Sequence, residues 1–122
     1  MPLLAGLSEP ARVTLATAFD VEQYPQDHVL VREGRHGYAF YVLREGTAAV
    51  AVEGSPVRTL EPGSFFGEIA ILGQGRRTAT VTTLSPVTVW VLFGTSFRVL
   101  TRDNPDVASA LENAMRERLA MS

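Results

Sequence analysis

No lysine and no cysteine occur in this chain, and histidine appears only at His28 and His36. The missing cysteines exclude disulfides and thiolate metal sites. Two histidines, both near turn residues, are too few for the clustered imidazole and carboxylate ligands of a metal centre. Long apolar runs are also absent. None approaches the roughly 18 residues of a membrane-spanning helix. The opening Met1-Pro2-Leu3-Leu4 lacks the basic flank of a secretory signal, so a cytoplasmic location is expected. Positive charge is not in excess either. Eleven basic residues, all arginine, face 13 acidic ones, for a net charge of −2. A chain that gripped nucleic acid through its phosphates would carry a basic surplus, so no direct nucleic-acid contact is expected. What remains is ordinary for a globular protein: 122 residues, 46% hydrophobic and 20% charged, enough for one domain with an apolar core.

Three zones follow along the chain. Residues 8–20 predict a helix. Ser8 can cap it, Glu9 suits its positive end, and Pro10 is tolerated in the first turn. Ala11, Leu15 and Phe19 then recur on one face. Residues 21–93 predict short strands: Val29–Arg32, Ala39–Arg44, Thr47–Val52, Val57–Leu60, Ala79–Thr83 and Val87–Leu92. Glycine and proline turns separate them, which points to an antiparallel sandwich or barrel. Glu61-Pro62-Gly63-Ser64 carries the Pro-Gly centre of a type II turn. Residues 95–121 predict helix again, with Asn104-Pro105-Asp106 as a start signal and Val107, Leu111, Met115 and Leu119 on one face. Trp90 is expected to be a structural strand residue. The fold class is therefore mainly β with flanking helices, in a single domain over 1–122.

Residues 63–81 interrupt the strand pattern. A short helical turn over 67–72 would present free N–H groups and a positive dipole end, which suits an anion. Gly67 has no side chain and lets a ligand approach the backbone. Gly73 and Gly75 let the chain fold back, and Arg77 can then offer a planar, permanently charged donor fork to a phosphate. Glu68 repels phosphate but accepts from hydroxyls. The segment thus suits a ligand with one anionic phosphate beside a free hydroxyl, as in a cyclic nucleotide.

Phe66-Gly67-Glu68-Ile69-Ala70-Ile71-Leu72 followed by Arg77-Thr78-Ala79-Thr80-Val81 resembles the phosphate-binding cassette of the cyclic-nucleotide-binding domain family. Leu3–Phe19 and Tyr38–Gly46 are similar to that family as well. The resemblance implies an antiparallel β-roll, a jelly-roll-like barrel with an N-terminal helix, a short helical turn in the cassette and C-terminal helices. It implies cAMP as ligand, ahead of cGMP, with no cofactor, metal or catalytic residue. Glu68 would accept the ribose 2′-OH, and Arg77 would pair with the phosphate oxygens. Backbone N–H groups of Gly67, Ile69, Ala70 and Thr78 would complete the cradle. Val52 would wall the base, the Thr78 hydroxyl would admit cGMP, and Arg118 would reach the base from a helical lid. The chain departs from the family at Arg76, where many members have proline, and at Arg58, where similar domains often have an apolar residue near the base. Arg58 either stacks on the purine or reaches solvent.

The expected role is a regulatory sensor for an output domain or partner protein outside this chain, with a homodimer compatible with the C-terminal apolar stripe. Two alternatives remain. One is a protein-interaction domain that keeps the fold without the ligand, although both charged cassette residues are intact. The other is a cupin-like metalloenzyme, which the histidine count opposes.

Overall fold

A computed structural model describes residues 7–34, 39–67 and 79–120, with only the backbone described for 118–120. The first helix, α1 (Glu9–Ala18), begins as its sequence dictates. The Ser8 hydroxyl accepts the Ala11 N–H at 3.3 Å, and Pro10 occupies the first turn. It stops short of residue 20 because Phe19 is already extended. The chain then enters β1 (Asp20–Tyr24), a strand that the sequence reading does not contain. β1 is an edge strand with mostly exposed residues, so it lacks the apolar alternation that marks a strand.

Seven further strands follow: β2 (Val29–Val31), β3 (Ala39–Glu45), β4 (Ala48–Val52), β5 (Ser55–Leu60), β6 (Phe65–Phe66), β7 (Thr80–Thr83) and β8 (Val87–Phe93). They form two four-stranded sheets, β1-β8-β3-β6 and β2-β7-β4-β5, and all pairings are antiparallel. β6 is only two residues long, too short to carry a periodic signal. β5 starts two residues earlier than predicted and contains Pro56. It lies at a sheet edge, where the missing proline N–H is tolerated. Two helices close the described chain, α2 (Gly94–Asp103) and α3 (Pro105–Ala120). Asn104 divides them. Its N–H donates to the Leu100 carbonyl, and its own carbonyl accepts from Val107 and Ala108.

β3 and β8 are buried on both faces, which gives the molecule two cores. On one face Ala39, Leu43, Val89 and Val91 meet Val50, Leu60 and Val81 of the opposite sheet. On the other, Phe40, Val42 and Leu92 meet Leu15 of α1, Phe97 and Leu100 of α2, and Leu111 and Met115 of α3. Trp90 belongs to the helix side, with the Arg44 guanidinium 5.6 Å from its ring centre. The strand role expected for it holds. The two cores explain why Val87–Leu92 is nearly continuously apolar rather than alternating.

The turns are set by backbone chemistry. Gly63 has φ 96°, and the Ser64 N–H donates to the Glu61 carbonyl at 3.0 Å, as a type II turn requires. Gly46, at φ 87°, links β3 to β4, and a Cβ there would run into the Pro86 carbonyl. Thr83, fully buried, holds the β1–β2 connection. Its hydroxyl donates to the Pro25 carbonyl at 2.6 Å and accepts the His28 N–H at 2.8 Å.

Candidate functional site

The strand directions sort the connections onto two ends of the roll. At one end lie Gly46-Thr47, the 61–64 turn, Ser85-Pro86 and the Thr83-anchored loop. At the other lie the β2–β3 connection, the β4–β5 hairpin tip, and the two residues that flank segment 68–78. β3 starts at this second end and β6 runs antiparallel to it, with Tyr41 opposite Phe66, so Gly67 emerges beside the start of β3. β4 finishes at the same end, with Ala51 opposite Thr80, so Ala79 stands beside Val52.

The core opens toward this end. Along the inner face of β4, exposure rises from 0% at Ala48 to 6% at Val50 and 38% at Val52. On β7, Thr83 and Val81 are buried, while Ala79, just before the strand, is only partly so. Arg58 is paired with Val50, so it shares the inner face of the sheet, and it is exposed. Among the described residues, the inner surface here therefore offers apolar wall and the permanent cation of Arg58 to whatever occupies the opening.

Gly67 has φ 77°, a left-handed conformation in which a side chain is strained. Glycine there lets a ligand approach the backbone, and the fold adds a backbone reason. Phe66, just before it, is buried between the sheets with its ring stacked on Tyr41 at 5.0 Å. Phe65 faces the helices, its ring 5.6 Å from that of Phe40. This dipeptide anchors the start of the cassette in both cores.

Of the predicted site residues, the structure thus places Gly67 and Val52 at one end of the roll. Glu68, Ile69, Ala70, Arg77 and Thr78 lie outside the described residues, as does the expected helical turn over 67–72 beyond Gly67. Arg118 lies on α3, with its side chain outside the description. Sequence reading missed Glu33. It sits in the turn after β2 and carries no motif. Its N–H donates to the Thr80 hydroxyl at 3.0 Å, and its carboxylate accepts the Glu53 N–H at 2.8 Å.

The strongly perturbed ionisation among the described residues is at the opposite end. Burial first, then the hydrogen bond to Glu22, push the Tyr24 hydroxyl up to about 12. A groove of about 380 Å³ between α1, the start of β1 and α2 is lined by Thr14, Thr17, Asp20, Ser96 and Asp103, among others. It carries two carboxylates and no arginine, so it does not suit a phosphate. No group of three or more metal-ligating side chains occurs among the described residues. None of the described helices is long and apolar enough to cross a membrane.

A family profile described as the cyclic nucleotide-binding domain matches residues 21–104. The chain is 35% identical over 102 residues to the cAMP-dependent protein kinase regulatory subunit of Neurospora crassa, covering 82% of this chain and 26% of that protein. It is 30% identical over 118 residues to a cyclic nucleotide-gated potassium channel of Rhizobium etli, covering 97% of this chain and 33% of the channel. The chain spans about a quarter to a third of these relatives. Among solved structures, the N-terminal domain of a transcriptional regulator from Streptomyces coelicolor superposes with a TM-score of 0.84 at 26% identity. The match covers 99% of this chain and 90% of that one. The Thermus thermophilus catabolite activator protein gives 0.80 at 27% identity, covering 99% and 59%. With its antiparallel roll, flanking helices and glycine-led cassette, the chain belongs to the cyclic nucleotide-binding domain family.

Proposed function

We propose that this chain binds a cyclic nucleotide at the open end of the roll, cAMP ahead of cGMP, and acts as a regulatory sensor rather than an enzyme. One observation carries the reading. Segment 68–78, the middle of the cassette pattern Phe66–Leu72 and Arg77–Val81, is flanked by Gly67 and Ala79, and both stand at the end where the inner core opens beside Val52. A phosphate cradle there adjoins an apolar surface for a base. In this reading the Arg77 guanidinium neutralises the phosphate and the Glu68 carboxylate accepts the ribose 2′-OH. N–H groups of Gly67, Ile69, Ala70 and Thr78 bond the remaining phosphate oxygens. The preference for cAMP draws on the several relatives named as cAMP-dependent kinase regulatory subunits. The output is a further domain or a partner protein, the sensor itself is cytosolic, and a homodimer through the C-terminal helix is compatible with it. No cofactor or metal enters the reading.

Calorimetry with cAMP, cGMP and 5′-AMP tests it. Saturable one-site binding of cAMP, weaker binding of cGMP and none of 5′-AMP is the expected pattern. Equal binding of 5′-AMP would point to a general phosphate site. No binding of either cyclic nucleotide would favour the interaction-domain alternative.

A further inference from the structure

Three connections meet at the open end, and one residue ties them together, through its backbone N–H and its carboxylate. Glu33 follows β2. Its backbone N–H donates to the Thr80 hydroxyl at 3.0 Å, at the first residue of β7 and one residue after Ala79. Its carboxylate accepts the Glu53 N–H at 2.8 Å, in the tip of the β4–β5 hairpin. Glu53 and Gly54 have φ 52° and 80°, a two-residue turn closed by the pair Val52 and Ser55. Beyond that pair β5 is an edge strand, exposed from Ser55 to Thr59.

We infer that Glu33 is a positioning residue for the ligand site, clamping the hairpin that carries Val52 to the strand by which the cassette rejoins the roll. The inference rests on the proposed cyclic-nucleotide site. A hairpin tip on an edge strand pivots easily when its end is free. Val52, adjacent to the tip, moves with it, and the apolar wall then shifts relative to Ala79 and the cassette. The Glu33 carboxylate removes that freedom before ligand arrives, so less ordering is required on binding. Glu33 touches no ligand in this role. It acts through Glu53, Val52 and Thr80.

The test compares the unmodified protein with Glu33→Ala and Glu33→Gln. The glutamine carbonyl can still accept the Glu53 N–H. Three quantities are read: cAMP affinity by calorimetry, exchange of the Glu53 amide by NMR without ligand, and thermal midpoint. Glu33→Ala is expected to weaken cAMP about three- to tenfold, the share of one exposed hydrogen bond, and to speed Glu53 exchange by a similar factor. Glu33→Gln should stay within about twofold of the unmodified protein in both. All three midpoints should agree closely, since Glu33 is exposed. Thr80→Val, which removes the other half of the clamp, should weaken cAMP in the same direction. Faster Glu53 exchange with unchanged affinity would overturn the positioning role while leaving the proposed function standing. A glutamine variant as weak as the alanine variant would also overturn it. Failure of the unmodified protein to bind any cyclic nucleotide would overturn the proposed function, and this role with it.

Discussion

At the scale of single residues, Arg77 is the side chain on which the proposed site depends most. A phosphate in a partly desolvated cradle needs a fixed counter-charge, and Arg77 is the arginine that the cassette pattern puts there. Arg77→Ala should cost on the order of 2–5 kcal/mol, roughly thirty- to several-thousand-fold in cAMP affinity, with an unchanged circular dichroism spectrum. Unaltered affinity in the variant would remove Arg77 from the site. Tyr24 makes a different prediction, about stability. Its hydroxyl ionises near 12 in the folded chain instead of its ordinary 10.0, chiefly through burial and then through its hydrogen bond to Glu22. The folded state thus holds the phenolic proton more tightly than the unfolded one. The contribution is complete below about pH 10 and is lost as pH rises from 10 through 12. Urea unfolding at pH 8, 10 and 11 should show falling stability, and Tyr24→Phe should fall less steeply over the same range. Equal slopes would assign the loss to other groups.

At the scale of elements, the β4–β5 hairpin is the place where local sequence and local structure disagree. A two-residue turn with both central residues at positive φ favours Asn-Gly or Asp-Gly, and this one is Glu53-Gly54. Glutamate tolerates the left-handed region poorly. Glu53→Asn should therefore raise stability by about 0.5–1 kcal/mol, measured by chemical unfolding. It leaves the backbone N–H that Glu33 accepts in place, so cAMP affinity should not fall. A destabilised variant would mean that the Glu53 side chain contributes more than its backbone conformation costs. The helices carry the opposite lesson. Ser8 marks a helix start legibly, because a cap acts through a hydrogen bond only a few residues away. The early end of α1 was not legible, because Asp20–Tyr24 is held extended by pairing with β8, whose residues 87–91 are remote in the chain.

At the scale of the whole molecule, the two cores share β3, β8 and the Phe65-Phe66 step. Phe65 packs near Phe40, whose ring is 6.3 Å from that of Phe19 at the end of α1. Contacts therefore run from the residues before the cassette to the helical layer. α3 rests on that layer through Ala108, Leu111 and Met115. A ligand shifts an equilibrium only through differential contacts with the two states, so the proposed sensor role requires that some element respond to it, and α3 is the element expected to do so. Saturating cAMP should slow amide exchange over residues 105–120. Arg118→Ala should reduce that protection and weaken cAMP by about 1 kcal/mol, the size of an exposed cation–π contact. Protection and affinity both unchanged would exclude Arg118 from the site.

Sequence by itself determined the fold class and picked out the cassette pattern on which the proposed roles rest. Those properties rest on short-range patterns: glycine and proline spacing, helix caps, and the run from Phe66 to Val81. Tertiary structure decided what depends on remote pairing. Only register could show that β1 exists as an edge of the β1-β8-β3-β6 sheet, or that Val52, Gly67 and Ala79 meet at one end of the roll. Only side-chain geometry could single out Glu33, whose two partners lie 20 and 47 residues away. A carboxylate in a turn looks the same in a sequence whether it faces water or closes a clamp. Its function is set by the N–H that the folded chain brings to it.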